Sequence, residues 1–408
     1  MSCGKSELCI FDHAAPQVVI DSSVFEELFP VNSFSESSNA EIDFRIVASD
    51  TDYLDLNDTL LYVKVKVTDS ADAALADAVD VTPSNMFFHS IFKDVILSLN
   101  GVKIEGGNDY YAQKAMIETL INYNRDTKKS SLTPMGFDED NDVRKAWVKG
   151  SATFSMCSSL QLDFFDQPKY IIPGVNVHLR LQRHKNEFCL ISKDKKPKLK
   201  ILEARLYVRR VRVEPSVLMG HQLGLNHSNA VYPIRKTKFV VYSLAIGMLS
   251  YYKELLFGDT ILPKFVLITF QSNSAYTGAY KENPSLFKHC NVSSMTLSRN
   301  TDFHESYTTD FTNNNYMTAY TTSLIRNMGH LDKNLNVGIT SKDFIDKYPF
   351  FTFVLAPDFD IYQTQIEKQG NLRLDIKFAS ALTEATSLLI YGIYDTEIQI
   401  NKNRTVII

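Results

Sequence analysis

The chain has 408 residues, with 43 Lys+Arg against 47 Asp+Glu and a formal net charge of -4. That balance excludes a histone-like or tail-driven nucleic-acid binder, and at about 150 residues per domain the length predicts two or three domains. Gly is scarce at 16 and the 12% aromatic fraction rests on Phe (26) and Tyr (20), which favour strands, so collagen-like, linker-rich and Gly-loop architectures are excluded.

Residues 1–16 lack periodicity and read as an N-terminal arm. Lys5, Glu7 and Asp12 interrupt any apolar run there, so no secretion signal is expected. From there on, period-two alternation dominates. Ile42, Phe44 and Ile46 alternate with charged residues, and Leu61, Val63, Val65 and Val67 alternate with Tyr62, Lys64 and Lys66. Val175, Val177, Leu179 and Leu181 repeat the pattern, as do Leu202, Ala204, Leu206 and Val208. After Arg210 the apolar phase flips to Val211 and Val213, as a β-bulge requires. In the second half, 263–270 and 349–355 have strand composition, and Leu372 to Phe378 and Ile398 to Ile400 alternate. Each reads as a strand with one face on a core and one face wet.

Helical periodicity is confined to 111–122, with Ala112, Ala115, Met116, Thr119 and Leu120 on one face, and 316–327, with Met317, Tyr320, Leu324 and Ile325. The stretches 68–85, 127–146, 183–200, 214–230 and 301–315 are polar and read as long loops. Within them, Asp138–Asp142 is acidic and Lys193–Lys200 basic. Both read as solvated loop or as contacts with a neighbouring subunit of complementary charge.

The two helices sit in similar contexts, which points to a duplication. Ser90-Ile91-Phe92-Lys93 is matched by Ser285-Leu286-Phe287-Lys288, 195 residues on, and each is followed by a strand. Tyr111 to Asn122 aligns without gaps on Tyr316 to Asn327, 205 residues on. Two copies of one β-domain, each with a helix inserted midway and about eight evenly spaced strands, fit a jelly roll.

Chemical motifs are scarce. Cys3, Cys9, Cys157, Cys189 and Cys290 form no CxxC, and their odd number suggests free thiols. There is no P-loop, HExxH or GxSxG. Asp50, Asp52, Asp55 and Asp58 lack the EF-hand Gly and Glu, and read as a capped turn entering a strand at Thr59. His221 and His227 are the one close histidine pair of note. No run reaches the ~20 apolar residues of a membrane span. No catalytic, cofactor-binding or metal-ligating residues are therefore expected. Arg205, Arg209, Arg210 and Arg212 are the densest basic stretch, read either as a solvated strand face or as a contact with an anionic partner.

Three segments carry a family resemblance. Tyr53-Leu54-Asp55-Leu56 with Leu60-Leu61-Tyr62-Val63-Lys64 resembles a "YIDL…TYLYVK" signature. Asn85 to Phe92 followed by Val95 to Asn100 resembles "NLFLHSLFSQVDVSLN", and Tyr110-Tyr111-Ala112 with Ile117 to Tyr123 resembles "YPYRAYIETLLSY". Together they resemble the hexon-like, double jelly-roll major capsid proteins of Polinton/Maverick elements and adintoviruses. Leu54 departs from the signature Ile, a conservative packing swap.

The resemblance implies an all-β fold of two tandem eight-stranded antiparallel jelly rolls, each with a short helix inserted between strands. It implies homotrimeric, pseudo-hexameric capsomers of an icosahedral shell, with no enzymatic residues and a virion location. The implied partners are further copies of the chain, minor capsid and penton proteins, and a weak, non-specific contact with packaged DNA. The expected organisation is an arm at 1–16, a first roll at 17–215, a linker at 216–230, and a second roll with a short tail at 231–408. A jelly-roll binding or accessory module and, last, a β-sandwich glycosidase are the alternatives.

Overall fold

The computed structural model describes residues 17–32, 41–76, 80–258, 260–300, 302–328, 337–356 and 368–408. The arm expected at 1–16 lies outside them, as do Cys3 and Cys9. The alternating segments form strands. In the first half these are β1 (Ile20–Leu28), β2 (Glu41–Ile46), β3 (Asp52–Thr68), β4 (Val81–Pro83), β5 (Phe92–Leu99), β6 (Val102–Glu105), β7 (Thr153–Ser158), β8 (Val177–Arg183), β9 (Leu190–Ser192) and β10 (Lys198–Val213). The second half gives β11 (Ala230–Leu244), β12 (Ser250–Lys253), β13 (Phe265–Ser272), β14 (Val292–Arg299), β15 (Asp302–Thr308), β16 (Phe351–Val354), β17 (Leu372–Phe378), β18 (Thr386–Ile400) and β19 (Val406–Ile407).

Two four-stranded sheets form in the first half, ordered β1-β10-β3-β7 and β2-β8-β5-β6, with β4 and β9 paired separately. The second half is ordered β11-β18-β13-β16 and β12-β17-β14-β15, with β19 added on β18. Setting aside the short β4, β9 and β19, each half has eight strands in one order among the described residues. The first, eighth, third and sixth make one sheet, and the second, seventh, fourth and fifth make the other. Every pairing is antiparallel. This is the jelly-roll order, present twice.

Alternation dictates the cores. Val63, Val65 and Val67 of β3 lie opposite Ala204, Ile201 and Leu199 of β10, and all six are buried. Phe44 of β2, Leu97 of β5 and Leu179 of β8 are fully buried on the other sheet. In the second roll Phe265 and Leu267 of β13 and Leu374 and Ile376 of β17 play the same part. Each fully buried Leu, Ile or Phe contributes roughly 1.5–3 kcal/mol before entropy is counted.

The irregularities are local. Val208, Val211 and Val213 are all buried, and the register of β10 against β3 shifts between Tyr207 and Arg209. That is the phase flip expected near Arg210. A second shift between Ile201 and Glu203 turns Ile201 inward and leaves Leu202 half-exposed, the reverse of the simple alternation. On β3 the turn expected to precede the strand lies inside it. Asp55 pairs with Arg209 and Leu60 with Tyr207, so the intervening residues bulge, and Thr59 Oγ1 donates to the Asp55 carbonyl at 3.3 Å.

The polar stretches hold more structure than their composition suggests. A helix, Asn141–Val148, begins in the acidic cluster, where the Asp140 carboxylate caps it by accepting from the Asp142 N–H at 2.9 Å. Another, Pro215–Gly224, lies across the end of the first half, and β15 falls inside 301–315. Such short, half-exposed elements carry no apolar period long enough to read.

The Tyr111–Asn122 helix lies between the fifth and sixth strands of its roll. Met317–Tyr320, continued by the π-helical Thr321–Asn327, occupies the same place in the second. The expected inner face of the second helix is corrected. Met317 and Ile325 are more than half exposed, while Ala319, Ser323, Leu324 and Asn327 turn inward. The wider π turn breaks the 3.6-residue period on which that face was drawn.

The end of β6 is a tight approach. Gly106 has φ +93, and a Cβ there would lie 2.3 Å from the Val95 carbonyl oxygen. Gly106→Ala is expected to cost about 1–3 kcal/mol, read as a lower urea midpoint with an unchanged slope.

Candidate functional site: the charge cluster between the rolls and the arginine strand

The Tyr111–Asn122 helix is buried all round, including the polar Gln113, Lys114 and Glu118. Its apolar side packs on the first roll. Its polar side faces the second roll instead of water, because the second roll covers it. Lys114 and Glu118 are one turn apart and converge with Glu105, from the end of β6, and Asp163, from the loop after β7.

Lys114 Nζ donates to Glu105 Oε1 at 2.5 Å and to Asp163 Oδ1 at 2.7 Å, and lies 3.8 Å from Glu118 Oε1. The Asp163 N–H donates to Glu105 Oε2 at 2.8 Å. The second roll supplies neutral donors. The Thr237 N–H of β11 donates to Asp163 Oδ2 at 2.6 Å, and the Tyr391 hydroxyl of β18 donates to Glu118 Oε1 at 3.2 Å. Burial pushes the Glu118 carboxyl up to about 8 and Glu105 up to about 7, against the pull of Lys114. Burial draws Lys114 down, but the surrounding carboxylates more than offset it and hold the ammonium charged. The cluster ties the helix to the second roll, with Lys114, Glu118 and Asp163 buried and Glu105 partly exposed.

Further contacts join the rolls. Lys128 Nζ donates to the carbonyls of Leu120 and Val337, each at 2.8 Å, and burial lowers it to about 8. The Ile172 N–H donates to the Tyr232 hydroxyl at 3.1 Å, and Arg404 Nε donates to the Pro173 carbonyl at 2.6 Å.

The four arginines lie on β10, between β1 and β3, and reach acids on both neighbours. Arg205 Nη1 bonds Glu27 at 2.8 Å and also pairs with Glu203; Arg210 Nε bonds Glu26 at 2.5 Å. Arg209 Nη1 bonds Asp58 at 2.6 Å and Asp55 at 3.2 Å, and Arg212 Nε bonds Asp52 at 3.1 Å. Three aspartates of the calcium-like spacing, Asp52, Asp55 and Asp58, thus serve these guanidinium groups. In the basic Lys193–Lys200 run, Lys198 and Lys200 both face Asp72, at 3.4 and 3.5 Å.

A cavity of about 630 Å³ opens beside the Pro215–Gly224 helix, lined mainly by Ile20, Tyr53, Val213, Val217, Leu225 and Tyr232. Tyr53 Oη and His221 Nδ1 are hydrogen-bonded across it at 2.6 Å. Its lining carries Lys169 and His221 but no carboxylate, so it offers no acid pair for glycoside hydrolysis. Among the described residues, no group of three or more His, Cys, Asp or Glu could hold a metal ion. Cys157, Cys189 and Cys290 are free thiols, each raised in pKa by burial. No described helix is long and apolar enough to cross a membrane.

Sequence reasoning missed the buried cluster. The signal was present in the repeat: where the first helix has Lys114 and Glu118, the second has Ala319 and Ser323, both buried. Two charges at one-turn spacing, matched by small residues in the other copy, mark a polar face of the first copy alone.

No protein-family model matches the chain. An uncharacterized protein of Caenorhabditis elegans is 24% identical over 357 residues, which is 80% of this chain and 83% of that protein. Among solved structures, a chain of the Sputnik virophage aligns with a TM-score of 0.65 at 12% identity, covering 100% of this chain and 92% of that one. The PBCV-1 virus capsid gives 0.60 at 12%, covering 96% and 97%. The mavirus major capsid protein gives 0.56 at 11%, covering 99% and 92%. At such identities the likeness is one of fold, and it spans both halves: the chain is a double jelly roll.

Lys114→Met removes the ammonium that three buried carboxylates share. It is expected to cost about 3–5 kcal/mol near neutral pH and less in acid, where the glutamates bind protons. Chemical denaturation at two pH values measures both.

Proposed function

We propose that the chain is a structural major capsid protein, forming trimeric, pseudo-hexameric capsomers of an icosahedral double-stranded DNA virus or virus-like transposon shell. The observation that carries this reading is the double roll itself. Each chain has two lobes of one strand order, held by a buried cluster, so a trimer of it would present six similar lobes around a threefold axis and tile a hexagonal lattice. The full-length likeness in fold to solved capsid chains supports it. The Polinton/Maverick and adintovirus assignment rests on the three signature segments, and a relative of similar span in a nematode favours an element carried in animal genomes.

Exposed apolar side chains supply a contact surface. Val24, Phe25, Phe29 and Val31 run along and beyond β1, each at least 58% exposed. A row of this kind suits subunit contact better than water. The organisation carried by this reading is a first roll over 17–215 and a second over 231–408, with minor capsid and penton proteins at the vertices and a virion location. The chain performs no catalysis in it.

Native mass spectrometry or light scattering of the purified chain is expected to give a trimer or a larger assembly, with an interface above ~2,000 Å². A chain that stays monomeric at high concentration overturns the reading and favours a binding or accessory module, for which the cavity beside Tyr53 and His221 would be the place to look.

For Arg205, Arg209, Arg210 and Arg212 we propose an auxiliary contact with packaged DNA, in which phosphates replace some of the present carboxylate partners. Substituting Arg209 and Arg210 together by Gln is then expected to leave assembly intact and lower the packaged DNA per particle. Unchanged packaging removes the contact and leaves these arginines as the pins of β1 and β3.

A further inference from the structure

The hydrogen bonds of the inter-roll cluster do not close if every acid is ionised. The Thr237 hydroxyl has one proton to donate. Two carboxylate oxygens lie within its reach, Asp163 Oδ1 at 3.0 Å and Glu118 Oε1 at 3.2 Å. Lys114 directs its short bonds to Glu105 and Asp163, and Glu118 stands off at 3.8 Å. Three carboxylates therefore converge on one ammonium, in a site where Glu118 and Lys114 are buried. A proton on Glu118 resolves both shortfalls: it removes one of the excess negative charges and frees the Thr237 hydroxyl for Asp163.

The surroundings of Glu118 leave it few other routes to neutrality. From its own helix it faces Lys114 and Tyr111, and from the residue just past the helix Tyr123. Glu105 of β6 and Asp163 and Asp166 of the loop after β7 add like charge. From the second roll come the neutral Thr237 and Tyr391, and Arg235 acts on Asp166 at the exposed rim.

We propose that this cluster is a proton-operated clamp between the two jelly rolls. With the proton on Glu118, the Tyr111–Asn122 helix is locked against β11 and β18. Without it, that face loosens while each roll stays folded. Separation hydrates Glu118 and returns it to the ordinary glutamate range, far below its closed value of about 8. Opening therefore releases a proton. The opening equilibrium rises by up to about tenfold per pH unit between those two limits and levels off above the upper one. The clamp is tight in mild acid and slack in mild alkali, and it does not depend on what the assembled particle contains.

Hydrogen exchange of the full chain, followed by mass spectrometry from about pH 6 to about pH 9 and corrected for intrinsic exchange, tests this. Peptides covering 111–122, 230–244 and 386–400 are expected to lose protection together as pH rises. In Glu118→Gln, which mimics the protonated acid, the loss is expected to shrink to the part that Glu105 carries. The infrared carbonyl band of a protonated carboxylic acid should be present in the wild type at neutral pH and fade towards pH 9. Protection that ignores pH, or a variant that follows the wild-type course, overturns the clamp. Should the variant not fold, a wild-type spectrum with no such band at neutral pH overturns it as well.

Discussion

The arrangement of the two halves turns on one desolvated ammonium. An unpaired lysine at the depth of Lys114 would cost several kcal/mol. That cost is offset only because Glu105 and Asp163 reach Nζ from two other elements of the first roll. Asp163 and Glu118 in turn need donors, and Thr237 and Tyr391 supply them from the second roll. Each requirement fixes the next, so the helix, β6, the loop after β7, β11 and β18 have one mutual placement that satisfies them all. The apolar contact of Tyr110 on Phe239, with ring centroids 5.0 Å apart, seals one side of it.

The arginine strand does comparable work at the surface. β1 buries little, and most of its residues are exposed. It is held by its ladder to β10 and by the pairs Glu26–Arg210 and Glu27–Arg205. As the outer strand of its sheet it has a free edge, and charged side chains on an edge discourage a further strand from pairing there. On the inner side, Arg209 fastens the bulged part of β3 through Asp58, where ladder bonds are missing, and Arg212 pairs with Asp52 at the start of that strand. The sequence shows the arginines, but apart from Glu203 their carboxylate partners come from strands about 150 to 184 residues away in the chain. No local pattern joins them.

Much of the fold was legible because period two survives wherever one face is buried. Val63, Val65 and Val67 or Leu372, Leu374 and Ile376 could hardly be anything but strands. Helical periodicity located both helices and prompted the repeat, and the shared strand order explains why the repeat held across so little identity. What was hidden had a physical reason in each case. β1 gives no alternation because it has no buried face. The acidic run at Asp138–Asp142 is a helix cap, a role its charge density disguises. The polar side of the Tyr111–Asn122 helix was passed over because periodicity sorts residues by polarity and cannot tell water from a second domain. The π turn at Thr321–Asn327 shifts a face that a regular helix would have kept.

The two helices occupy equivalent places yet are not interchangeable. The buried charges all belong to the first, and the second has Ala319 and Ser323 where Lys114 and Glu118 would stand. The joint is therefore heterologous: one lobe brings acids and a base, the other brings hydroxyls and an amide. Two first lobes meeting through this face would set carboxylate against carboxylate, and two second lobes would have nothing to neutralise. A separate single-roll ancestor would not have paired through such a joint. Once both lobes share a chain, the tether keeps them together at high effective concentration while their faces diverge. Divergence of the copies is thus what makes the doubled chain a single unit, and it denies each lobe the option of self-association by the same face.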